Sequence, residues 1–123
     1  MKASSTCFRV ASLVLVLGMI WGIVMGASGN HETKSAHAHF NLLGWASLFL
    51  IGVFYRLHPA IDDSGAARLQ LRVWIAGTVV QAIGVVMLAS GQPIGEPVAI
   101  LGSLALLAGA ALFGRLVYTR AGG

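Results

Sequence analysis

A chain of 123 residues forms one compact unit, and at 57% hydrophobic and 10% charged residues, with a mean hydropathy of +0.83, it is too apolar for an ordinary water-soluble domain. The formal charge of +4 is scattered over the ends of apolar runs; this speaks for membrane orientation signals and against a nucleic-acid patch. Cys7 is the only cysteine, which excludes an intrachain disulfide and leaves the thiol as a small interfacial residue.

Four apolar runs, about 10–27, 36–57, 72–90 and 94–118, each come close to the roughly 20 residues a spanning helix needs. They predict an all-α fold, an integral membrane four-helix bundle occupying residues 1–123 as a single domain. In the first run, Lys2, Arg9 and a closing Met25-Gly26-Ala27-Ser28 are similar to a secretory signal. Its apolar core is longer than such signals carry, and Gly18, Gly22 and Gly26 make a small-residue ridge for a neighbouring helix. The run is read as a retained helix.

The second run opens with His37, His39 and Asn41 and should stop at Pro59, which cannot continue the hydrogen-bond ladder. Asp62, Asp63 and Ser64 offer N-caps for the next helix. Gln81 in the third run needs an internal partner, and an interhelical hydrogen bond is expected. Gly91, Pro93 and Gly95 predict a tight turn, with Pro97 in the first turn of the last helix. Gly102 and Gly109 give that helix a smooth packing face.

Lys2 and Arg9, then Arg56, Arg68 and Arg72, then Arg115 and Arg120 all flank one end of the four runs. The opposite connections hold only Lys34, beside Glu32, and no basic residue over Ser90–Glu96. The positive-inside rule then puts both termini in the cytoplasm of a multi-pass protein of the cell's inner membrane. The two helix-2 histidines fall near the outer face.

Of the four histidines, His31 reads as solvated beside Glu32 and His58 as interfacial next to Pro59. His37 and His39 are different, because ionisable groups in a membrane-length run are costly and usually functional. Two residues apart, at about 100° per residue, they point to nearly opposite sides of a helix. That spacing does not suit one metal; it suits one helix serving two sites, or two neighbouring helices each lending one histidine, and the plain alternative is two imidazoles bonded to water and backbone at headgroup level. A neutral imidazole ligates iron, copper or zinc, and a haem is held by axial histidines where apolar and small residues make room. Phe40, Trp45, Phe49 and Phe54 suit such a slot and equally suit ordinary packing. No carboxylate pair, serine–histidine arrangement, phosphate loop or zinc signature is present, which argues against hydrolytic and phosphoryl-transfer chemistry.

His37-Ala-His39-Phe40, followed by Leu43-Gly44, Gly52, Phe54-Tyr55 and Pro59, resembles the haem-binding helix of subunit I in the haem-copper oxidases and nitric oxide reductases, over about 23 residues. That subunit has twelve spanning helices in three groups of four, so this chain resembles a single four-helix repeat. The resemblance implies b-type haem iron ligated by His37 and His39, with Phe40, Asn41 and Trp45 beside it. It also implies a homotrimer that restores twelve helices around a threefold axis, a redox partner, and electron transfer or binding of oxygen or nitric oxide. The family's tryptophan–histidine segment, adjacent histidine pair and cross-linked tyrosine have no counterpart here, so oxygen reduction at a haem–copper centre is not implied. The alternatives are a structural or accessory protein of a respiratory complex, and a copper- or zinc-handling protein using His31, His37 and His39.

Overall fold

The computed structural model describes residues 1–120. Four long helices carry the chain: α1 (Ala3–Ser28), α2 (Lys34–Leu57), α3 (Gly65–Ala89) and α4 (Gly95–Arg120). Each is long and apolar enough to cross a membrane. A short helical turn, Pro59–Asp62, links α2 to α3. The helices overrun the apolar runs, most at the starts of α1 and α3, because hydropathy marks the hydrocarbon slab whereas caps mark the helix. The 26 residues of α1 span about 39 Å at 1.5 Å each, against roughly 30 Å of hydrocarbon. Ser64 sets the start of α3, its Oγ accepting from the Ala67 N–H at 3.1 Å. Gly29, at φ 70°, ends α1 in the left-handed conformation that favours glycine.

The helices pair as two antiparallel hairpins, α1 with α2 and α3 with α4. Between α3 and α4 the seam is glycine at heptad spacing, Gly77 facing Gly102, Gly84 facing Gly95, and Gly109 lying against Trp74. A Cβ on Gly102 would land on the Gln81 backbone nitrogen, and one on Gly84 on that of Ala99. The two backbones are therefore in direct contact, which in lipid supplies the van der Waals packing that replaces a hydrophobic drive. The α1–α2 seam uses the same device: Gly18 lies under Asn41, Gly22 under His37, Gly44 under Val14, and Gly52 under Cys7 and Phe8. Gly26 meets nothing within 4 Å, so it takes no part in the ridge.

The hairpins are tied together by polar groups that hydropathy does not reveal. Within α2, residues Leu42–Ser47 form a π-helical turn; there the Leu43 carbonyl accepts from Trp74 Nε1 of α3 at 3.0 Å. At the arginine-bearing end, Tyr55 Oη donates to Gln70 Oε1 at 2.7 Å, and Gln70 Nε2 donates to the Gly109 carbonyl at 3.2 Å. Tyr55 and Gln70 are fully buried. Asp62 was expected to cap α3 but is only 1% exposed and caps α1 instead. The Ser4 N–H and hydroxyl donate to its two carboxylate oxygens, each at 2.6 Å. Asp63 pairs with Lys2 at 3.7 Å. Gln81 departs from expectation as well: its Oε1 is buried and has no hydrogen-bond partner among the described residues. The glycine seam packs Gly102 against the Gln81 backbone and Cβ.

Candidate functional site

The residues singled out at the start of α2 separate into two groups on opposite faces of the helix. His37, Phe40 and Asn41 turn toward α1. His37 Nε2 lies 2.9 Å from the Gly18 carbonyl, and since a carbonyl only accepts, Nε2 carries the proton and Nδ1 is the bare nitrogen of the neutral ring. Trp21 meets the same imidazole edge-on at 5.7 Å between ring centres and Phe40 at 5.9 Å. Asn41 Nδ2 donates back to the His37 carbonyl at 2.8 Å while its side chain fills the space over Gly18. These three residues close the α1–α2 contact.

His39 and Trp45 do the opposite. His39 is exposed on the far side of α2, and Trp45 is 39% exposed. His39 Nδ1 lies 2.8 Å from the Ser35 carbonyl and therefore donates to it, so in the neutral ring Nε2 keeps the lone pair. A ring N–H tied to a backbone carbonyl is the support that metal-ligating histidines ordinarily have, because it fixes tautomer and orientation. His58 makes the same bond to the Phe54 carbonyl at 2.8 Å, but its ring is stacked on Phe54 at 4.3 Å at the other end of the molecule.

The demands of a haem can be set against these two environments. An axial ligand needs a bare nitrogen facing a space as wide as a macrocycle. His39 meets the first demand and lies on an open surface. His37 offers a bare nitrogen only at Nδ1: its Nε2 is engaged inside the chain, and the ring rests on Gly22, where a Cβ would come within 3.3 Å of Nε2. A cleft of about 300 Å³ between Trp21, Phe40, Val79, Ala82, Ile83, Val86 and Met87 has neither histidine in its lining. A copper or zinc centre within one chain is not assembled either, since no three His, Cys, Asp or Glu side chains gather among the described residues. His31, His37 and His39 are therefore not a ligand set.

Sequence reasoning missed the buried polar groups at the other end, Ser4, Tyr55, Asp62 and Gln70. Gln70 lies just before the apolar run that begins near residue 72, so hydropathy gives it no weight, and nothing local separates Asp62 from Asp63. No protein-family model, no curated protein and no solved structure matches the chain.

Proposed function

We propose that the chain is an inner-membrane protein, with its termini and arginine-bearing end toward the cytoplasm, that holds b-type haem near the outer face through His39. What carries this reading is the state of His39: outward-facing, with Nδ1–H anchored to the Ser35 carbonyl and Nε2 bare. The resemblance of His37–Pro59 to an oxidase haem helix supports it, as does the π-helical turn that follows, a feature frequent at functional sites. Because His39 looks outward, the macrocycle lies at a boundary between copies, in a homo-oligomer that as a trimer restores twelve helices. Bound haem supplies one-electron transfer and, with an open axial position, gas binding. His37 holds α1 against α2 and positions the turn bearing His39.

The experiment is an absorption spectrum of oxidised and reduced protein, with and without carbon monoxide, beside native mass measurement in detergent. The expected result is a Soret band lost in His39→Ala, retained in His37→Ala and His31→Ala, and an oligomeric mass. No Soret band after haem supplementation, or an unchanged band in His39→Ala, overturns the assignment. A second reading, a non-catalytic accessory membrane protein, is favoured by the engagement of His37 Nε2 with the Gly18 carbonyl inside the α1–α2 contact; it predicts a colourless protein in which His39 is dispensable.

A further inference from the structure

All six arginines and Lys2 lie at one end of the bundle, against two carboxylates there, Asp62 and Asp63. Both carboxylates are already engaged, Asp62 by Ser4 and Asp63 by Lys2. Arg56 lies over the Phe8 ring at 5.8 Å, and Arg68 donates to the Asp63 carbonyl at 2.9 Å. Arg115 and Arg120 have neither an ion pair nor a side-chain hydrogen bond among the described residues. Both border one groove of about 270 Å³ between the start of α3 and the end of α4, with Ala66 and Leu69 on one wall and Leu112 and Leu116 on the other.

We propose that this groove binds an anionic phospholipid of the adjoining leaflet, its phosphate held by Arg115 and Arg120 and an acyl chain lying along Leu69 and Leu112. Along α4, Leu112 lies deeper in the spanning helix and Arg115 and Arg120 follow it toward the end, as a headgroup follows an acyl chain in a lipid. Arginine presents a planar fork of donors that grips phosphate oxygens bidentately. Basic pockets between spanning helices on the cytoplasmic side recognise lipid headgroups in this way. A free phosphate would use the arginines and leave the leucine walls idle. The inference rests on the bilayer topology proposed above and is independent of haem.

The test is native mass spectrometry of the detergent-purified chain with phosphatidylglycerol or phosphatidylcholine added. Phosphatidylglycerol should be retained preferentially, and the double variant R115Q/R120Q should bind it about thirty-fold more weakly, from about fivefold per arginine near a lipid surface. Leu69→Ser should weaken it too, whereas R9Q/R56Q, at the same end but outside the groove, should not. Both groove arginines are exposed, so the fold should survive; if the glutamine pair does not fold, R115K/R120K keeps the charge, loses the fork, and should still bind less. Equal retention of the two lipids, equal loss in R9Q/R56Q, or full competition by inorganic phosphate overturns the site. Carbonate extraction of membranes separates the two readings: a chain that washes out denies the topology, and one that stays but shows no lipid preference denies only the groove.

Discussion

Alanine at Gly84 tests whether the α3–α4 seam is as tight as its geometry implies. An ideal Cβ there falls on the Ala99 backbone nitrogen, 2.7 Å from the Ala99 Cα and 2.8 Å from the Gly95 carbonyl oxygen. Non-bonded carbon atoms settle at about 3.5–4.0 Å, so the helices must part by about 1 Å. The atoms met are backbone, so no rotamer can give way, and separation at Gly84 also loosens the contacts at Gly77 and Gly102. Overpacking of this kind costs about 1–3 kcal/mol, and alanine returns about 0.8–1.0 kcal/mol of helix propensity over glycine. The net expectation is a loss of up to about 2 kcal/mol. Gly114→Ala supplies the control, because a Cβ at Gly114 meets nothing within 4 Å and only the propensity gain remains. Unfolding by SDS in mixed micelles, followed by circular dichroism, should place Gly84→Ala below Gly114→Ala by about 1–3 kcal/mol, the overpacking cost alone, because the propensity gain is common to both. Coincident midpoints for Gly84→Ala and Gly114→Ala would refute the close-contact argument.

The same unfolding assay checks three further expectations. Asp62→Ala leaves the Ser4 N–H and hydroxyl buried without an acceptor and should cost about 2–4 kcal/mol, with Ser4→Ala coupled to it in a double-mutant cycle; additive losses would deny the cap. Gln81→Met should be neutral or stabilising, because it removes an amide oxygen that has no partner; a large loss would reveal an acceptor role. Gly29→Ala should cost about 1–2 kcal/mol from the left-handed backbone alone, since no atom lies within 4 Å of the new methyl. A parent-like midpoint would show that α1 can end in another way.

The sequence carries the four helices plainly, because each is apolar along a length sufficient to cross a membrane, and mean hydropathy over a window of helix length measures just that. Their ends are less visible. Ser4, Arg9 and Gln70 are helical but polar, so a hydropathy window excludes them, and only the Ser64 cap and the positive φ of Gly29 fix where the chain turns. The opposed directions of His37 and His39 follow from helical pitch alone. Which of them faces the chain's own α1 does not, because it depends on how α2 rolls against Gly18 and Gly22.

By itself, then, the order of residues determined the number of apolar helices, the crowding of cationic side chains at one end, and the glycine positions that permit close approach. Tertiary structure alone decided what each polar group in those helices touches. It assigned Asp62 to the first turn of α1, Tyr55 to Gln70, Trp74 to the Leu43 carbonyl in the π-helical turn, and His37 to Gly18, while leaving His39 outward and Gln81 Oε1 without a partner. The reason is physical. Burial of an apolar face is a sum along one helix that the sequence states directly. A buried polar group instead needs one particular partner, 58 residues away for Ser4 and Asp62, and only the packed arrangement of helices brings the two together.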